Sequence, residues 1–196
     1  MGDLDLDTRT GWPADLRFLL DRYPRASWYP RAAWPSQPNL GPLSRSWLEH
    51  HDYFRAFGRG PLTGARQYRE AAASPTEFRQ MYGPRLRYFL LVLEGHHRIE
   101  DDYYFPVFRA AEPRLAPGFE ALERDHATIR ADIAEVGKAA TAFLAADDID
   151  AARAAGTFYG GHADRLWTAL TQHFDDEEDL IIPLILERTE EALGIG

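Results

Sequence analysis

One pattern occurs twice in this chain and limits what the chain can fold into. Residues His96-His97-Arg98-Ile99-Glu100-Asp101-Asp102-Tyr103-Tyr104-Phe105-Pro106 align with His173-Phe174-Asp175-Asp176-Glu177-Glu178-Asp179-Leu180-Ile181-Ile182-Pro183. The first His, the Glu four residues on, the Asp two further and the closing Pro coincide, and both prolines follow three aromatic or apolar residues. A His and a Glu at i and i+4 share one helix face, close enough to hold one ion between them. Two such pairs on facing helices suit two ions.

The sequence around these copies predicts helix throughout, with no two-residue alternation of the kind a strand needs. A first helix is expected over Leu43–Phe57, broken by Gly58, Gly60, Pro61 and Gly64. Ser74-Pro75-Thr76-Glu77 is a capping box that starts a helical segment, and Gly83-Pro84 interrupts that segment. A second helix is then expected from Arg85 to Phe105, with Leu86, Phe89, Leu90, Leu93, His96 and Glu100 on one stripe. The third, Pro117–Leu144, has the most regular seam: Phe119, Leu122, His126, Ile129, Ile133 and Val136. Asp147 to Asp150 make a turn and cap. The fourth, Ala151–Ile185, puts Leu166, Leu170, His173, Glu177 and Leu180 on one stripe. Four long helices with fairly short connections predict an all-α fold, an antiparallel four-helix bundle.

Residues 1–42 are set apart by Trp12, Trp28 and Trp34 and by prolines 13, 24, 30, 35, 38 and 42. A short helix over Pro13–Tyr23 is expected, and no long helix beyond it. Disordered leaders are poor in aromatics, so the segment reads as an N-terminal arm packing on a bundle domain over 43–196.

Composition narrows the chemistry. The formal net charge of -9 and the lack of any basic patch exclude nucleic-acid binding. With no cysteine, disulfides, zinc ribbons, iron–sulfur clusters and thiol nucleophiles are all excluded. No apolar run approaches the roughly 20 residues of a spanning helix, and MGDLDLDTRT lacks a signal-peptide layout, so a cytoplasmic protein with no membrane partner is expected.

Each predicted helix therefore carries a histidine on its inward stripe. A lone core histidine such as His126 is ordinarily structural, but glutamates on a core stripe are almost never buried unless paired or metal-bound. Glu100 and Glu177 lie in phase with the histidines, and no Lys or Arg stands at a neighbouring stripe position. The layout also repeats: His51 to His96 spans 45 positions and His126 to His173 spans 47, and Trp47-x-x-x-His51-x-x-Phe54 echoes Leu122-x-x-x-His126-x-x-Ile129.

With these residues the chain resembles the hemerythrin-like family, the HHE cation-binding domains, over roughly residues 43–190. That pattern is one His on the first helix, His-x-x-x-Glu on the second, one His on the third and His-x-x-x-Glu on the fourth. The resemblance implies a non-haem di-iron centre, oxo- or carboxylate-bridged, with manganese or zinc as substitutes. By matching position its ligands are His51, His96, Glu100, His126, His173 and Glu177, the two glutamates bridging. It implies reaction with O2, peroxide or NO. Oxygen-carrying members have a fifth histidine a turn away on the third helix. The flanking positions here are Leu122 and Arg130, which argues against reversible oxygen carriage. A di-iron oxygenase acting on a small organic substrate, with the N-terminal arm helping to form the pocket, is the alternative. The catalytic residues are not legible.

Other histidines and acids also compete for a role. His50 fits the first stripe as well as His51 does, and only the flanks of His51 favour it. His97 pairs with Asp101 and reads as a solvated neighbour, with an additional ligand as the alternative. His162 precedes His173 by eleven residues, on the order of 16 Å along the helix, which is beyond ligating distance. The acidic runs 100–102 and 175–179 read as mostly solvated, some members accepting hydrogen bonds from ligand histidines. Tyr103 and Tyr104 read as packing. Glu94-x-x-His97 and Glu123-x-x-His126 resemble the Glu-x-x-His of ferritin-like bundles but stand on adjacent helices, which that layout does not allow.

Overall fold

The computed structural model describes residues 4–25, 37–71, 80, 83–146 and 148–196. Among them there is helix and no strand. The helices are α1 (Pro42–Ala71), α2 (Gly83–Ile99), α3 (Phe105–Ala111), α4 (Ala116–Leu144), α5 (Ile149–Arg188) and α6 (Glu190–Leu193). A π-helical turn, Glu100–Tyr104, joins α2 to α3, and a 3-10 turn, Pro113–Leu115, leads into α4.

Several boundaries differ from the sequence expectation, each for a physical reason. The expected break after Phe57 is absent: α1 runs on through Gly58, Gly60, Pro61 and Gly64 to Ala71. Glycine costs a helix roughly 1 kcal/mol and proline about 3, amounts that tertiary packing overrides. Gly58 is a close-approach position, because a Cβ there would stand 2.8 Å from the Phe89 ring and 3.0 Å from Trp167. Pro106 does not end a helix, and Pro183 is carried inside one, as the expected span of the fourth helix required. Pro106 enters the first turn of α3, where its missing N–H costs little. Pro183 lies inside α5. The expected helix over Pro13–Tyr23 is a series of turns instead, with mixed i+3 and i+4 bonds such as Leu16 N to Pro13 O and Asp21 N to Arg17 O. The capping box at 74–77, with Trp28, Pro30, Trp34 and Pro35, lies outside the described residues.

Capping is local and legible. Asp148 Oδ1 accepts from the backbone N–H groups of Asp150 (3.0 Å) and Ala151 (2.8 Å), which starts α5. The first turn of α1 is capped by the side chain of Glu190, which accepts from Ser44 N at 2.7 Å and Leu43 N at 3.2 Å. This carboxylate is distant in sequence, and the positive end of α1 suits its charge.

The chain divides into two compact units. Unit 1 comprises residues 1–51, 98–125 and 172–196. Its core holds Leu4, Trp12, Leu16 and Leu19 together with Trp47, Phe105, Phe108, Phe119, Leu122, Ile181 and Leu184. The N-terminal residues 4–25 are thus part of that core. Unit 2 comprises residues 52–97 and 126–171. It buries Phe54, Phe89, Leu93, Ile129, Val136, Phe143, Tyr159, Leu166 and Leu170. Phe54 meets Phe89 edge-on at 6.0 Å, an arrangement aromatic rings favour. Ile133, expected on the same seam, is half-buried.

Candidate metal centre

Unit 1 assembles a buried group of imidazoles and carboxylates around Glu177. Its i−4 neighbour on α5, His173, places Nε2 3.1 Å from Glu177 Oε2. On the other oxygen, His51 of α1 places Nε2 3.7 Å from Glu177 Oε1. Trp47, one turn before His51, donates its indole N–H to that same Oε1 at 2.6 Å. Each oxygen of Glu177 therefore faces a different imidazole, and all three side chains are fully buried.

The outward nitrogens of both rings meet carboxylates. His51 Nδ1 lies 2.9 Å from Glu178 Oε1, and His173 Nδ1 lies 3.4 Å from Asp125 Oδ2. An ionised carboxylate can only accept, so each ring carries a proton on Nδ1 and turns Nε2 toward Glu177, where the Nε2–H of protonated His173 also donates. The Phe174 ring stacks on His51 at 4.5 Å and fixes its plane.

The π turn contributes Glu100, only 1% exposed. Burial pushes its carboxyl pKa well up, and the charge and hydrogen bond of neighbouring Glu177 add to that. At His173 burial acts downward, but hydrogen bonds to Asp125 and Glu177 and their charges outweigh it, and the imidazole is raised to about 9. Both shifts have one meaning: this cluster has an excess of negative charge in a dry place and takes up positive charge to balance it.

Unit 2 has its own imidazoles. His97, at the end of α2, is fully buried and stacks on His126 of α4 with ring centres 4.1 Å apart and planes 12° apart. His96 is half-buried, 5.1 Å from the Phe54 ring and 5.7 Å from His97. His97 is thus not the solvated neighbour that its sequence position suggested. The reason is the phase of α2, which buries Leu86, Phe89, Leu93 and His97.

The side chains able to ligate a metal ion are His51, Glu100, His173 and Glu177 in unit 1 and His96, His97 and His126 in unit 2. Nitrogen and carboxylate donors in this mixture suit iron, manganese or zinc. The donor set fits a cation on a second count, since the raised carboxyl of Glu100 and the raised imidazole of His173 mark the charge that a cation would balance.

The other candidates lie elsewhere. His50 is exposed, its Nδ1 2.7 Å from the backbone carbonyl of Ser46 on its own helix. His162 is half-buried against Phe158 at 4.5 Å. Glu94 is exposed and Glu123 pairs with Arg109. The acidic run 175–179 departs from its expected solvated character. Asp176, Glu177 and Glu178 are all buried, and only Asp175 is exposed.

Sequence reasoning missed Asp125 and the buried arginine, Arg9, that holds it. Arg9 Nη2 lies 2.5 Å from Asp125 Oδ2, and its Nε lies 2.8 Å from Asp176 Oδ2. A signal for Asp125 was present: Asp125 and Asp132 stand seven residues apart, and both are buried. Charges at that phase ordinarily mean a solvated face, so the signal pointed the wrong way. The indole hydrogen bond of Trp47 has no sequence signature at all.

A model of the hemerythrin HHE cation-binding domain matches residues 42–185 of the chain. No curated protein and no solved structure matches it.

Proposed function

We propose a function from one premise: the chain belongs to the hemerythrin HHE cation-binding domain family. It is a non-haem di-iron protein that binds or reacts with O2, peroxide or NO inside an antiparallel four-helix bundle. Its ligands are His51, His96, Glu100, His126, His173 and Glu177, with His97 the further imidazole available to complete a coordination sphere. The observation that carries this reading is Glu177, a fully buried carboxylate with a different histidine Nε2 at each of its oxygens. A carboxylate so placed would let each of its oxygens join a different histidine in holding a cation.

Iron, when bound, would supply one-electron redox chemistry toward a small oxidant. The protein's own residues do the rest. Glu178 and Asp125 hold the Nδ1 protons of His51 and His173, which keeps each Nε2 lone pair aimed inward. Trp47 fixes the rotamer of Glu177 through Oε1. Phe105, Phe108, Phe119, Leu122 and Ile181 in the core of unit 1 exclude water. The half-buried His96 and fully buried His97 give unit 2 two imidazoles at the end of one helix, which bears on the missing fifth histidine of the third helix.

The test is elemental analysis of protein grown with iron, with optical spectra taken before and after exposure to oxygen, peroxide and NO. About two irons per chain are expected from the two-ion donor count, with a spectrum that changes on exposure to at least one of the three. Iron-replete protein that retains no metal would end this reading.

A further inference from the structure

Two arginines of the N-terminal segment, which precedes the family match, reach the carboxylates that hold the candidate ligand histidines of unit 1. Arg9 is nearly inaccessible to solvent. Its Nη2 sits 2.5 Å from Asp125 Oδ2, the same oxygen that faces His173 Nδ1 at 3.4 Å. Its Nη1 lies 3.4 Å from Asp125 Oδ1 and donates to the carbonyl of Leu4 at 2.7 Å. Its Nε donates to Asp176 Oδ2 at 2.8 Å. The Trp12 ring lies 4.5 Å from the guanidinium carbon, and its own N–H donates to the carbonyl of Asp176 at 2.7 Å. Arg25 repeats the theme. Its Nη1 lies 2.8 Å from Glu178 Oε2, while the other oxygen of Glu178 faces His51 Nδ1 at 2.9 Å. Its Nη2 binds Asp179 Oδ1 and the carbonyl of Asp175, each at 2.6 Å.

We propose that the N-terminal segment is a tuning element for the metal centre, with Arg9 and Arg25 as positioning residues for His173 and His51 through Asp125 and Glu178. This rests on the reading of those two histidines as ligands. The physical reason is the same in both chains of contacts. A carboxylate behind a ligand histidine orients the ring and raises its basicity, and a cation behind that carboxylate withdraws part of the charge and locks its position. The guanidinium suits the task because its planar fork binds two groups at once in a fixed geometry. At Arg9 that fork spans Asp125 and Asp176, two buried carboxylates that would repel each other without it. Removing it drives them apart and takes Asp125 from His173. Arg25 is about a third exposed, so water replaces part of its effect and its loss is milder.

The test uses the full chain with Arg9→Met, Arg9→Lys and Arg25→Met. In metal-free protein, the hydrogen-bonded Nδ1–H resonances of His173 and His51 are tracked by NMR. Arg9→Met is expected to shift or abolish the His173 signal and leave that of His51, and Arg25→Met to do the reverse. Ferrous iron affinity, measured by chelator competition, is expected to fall about 10- to 100-fold in Arg9→Met, the usual cost of losing a partner of a ligand. The loss in Arg25→Met is smaller, and Arg9→Lys recovers part of the affinity because it keeps the charge without the fork. Folded Arg9→Met protein with an unchanged His173 signal and unchanged iron affinity overturns the proposal. If Arg9→Met does not fold, Arg9→Lys and Arg25→Met decide by the same two readings. If the unaltered chain takes up no iron, the proposed function fails, while the NMR of metal-free protein still decides whether the arginines position the rings.

Discussion

The two copies of the His-x-x-x-Glu pattern align closely in sequence and differ in the backbone that carries them. Residues 173–183 lie within one unbroken helix, α5, and Pro183 does not interrupt it. Residues 96–106 pass from α2 through the π turn Glu100–Tyr104 into α3, with Phe105 N–H bonded to Glu100 O five residues back. Such a turn inserts one extra residue into a helix, and π turns are frequent at functional sites. Its effect here is a change of phase. The buried positions step from Leu93 to His97 and Glu100 by four and three, then by five to Phe105. With plain α geometry, Glu100 and Phe105 could not both face inward. The copies also differ in support. Glu177 accepts the indole of Trp47 and faces two histidines, whereas Glu100 stands where burial and a neighbouring carboxylate push its pKa well up. One copy is thus a fixed platform, and the other carries an acid held against its preference.

The sharpest test of that contrast compares Glu177→Ala with Glu100→Ala. Glu177→Ala is expected to weaken iron binding by more than ~100-fold, beyond the range seen for partners of ligands, and to destabilise the metal-free fold. Glu100→Ala is expected to lose at least one iron yet raise the melting temperature of metal-free protein, since it removes a carboxyl whose burial is itself unfavourable. Equal effects of the two substitutions on metal-free stability would erase the distinction between the copies.

Next in size is deletion of Asp102, exposed in the π turn, which converts the turn to ordinary α-helix. Either Glu100 or the buried pair Phe105 and Phe108 must then leave the core. Loss of one large aromatic from a core costs about 3–5 kcal/mol, so chemical denaturation should show a drop of that order. A deletion variant as stable as the parent would mean the extra residue has no packing role.

The pH dependence of metal-free protein is set by His173. Its imidazole rises from 6.5 to about 9 on folding, so the folded state holds the proton more tightly than the unfolded one. The stability it contributes is complete below pH 6.5 and is lost as pH rises through about 9. The magnitude is on the order of 3–4 kcal/mol at most, from about 1.4 kcal/mol per pKa unit. The raised carboxyl of Glu100 acts in the same direction. Iron must displace these protons, so its affinity should climb with pH over the same window. Denaturant midpoints that hold constant from pH 6.5 to 9 would contradict the assignment.

The smallest expected effect is Trp47→Phe, which removes one hydrogen bond from Glu177 and keeps most of the ring. Leaving a buried carboxylate oxygen short of a donor costs about 1–3 kcal/mol. A change in iron affinity without any loss of stability would show that Trp47 acts on the centre alone.

Much of the fold could be read from the chain, because helix periodicity is a local property. The seam Phe119, Leu122, His126 and Ile129 is fully buried as its spacing requires, and the third and fourth helices begin within two residues of their expected starts. The breaks at Gly58 and Pro61 failed because local propensity is worth only a few kcal/mol, which packing of the kind Gly58 makes with Phe89 and Trp167 exceeds. Of the site, the spacing singled out His173 and the flanking residues favoured His51, both of which lie buried with Glu177, but the reading set His97 aside as solvated, while His97 is the fully buried member of its pair. A run of two histidines places both near one helix edge, and phase alone cannot choose between them.

The order of residues along the chain settled the helices, the paired His-x-x-x-Glu pattern and the family, because each depends on residue types at fixed local spacing. Folding in three dimensions settled which carboxylates stay with their histidines. Asp125, Glu178, Arg9 and Arg25 meet their partners across as many as 167 residues of chain, and no periodicity records such a meeting. A buried charge reads like a surface charge in sequence until the fold shows the opposite charge that lets it stay there.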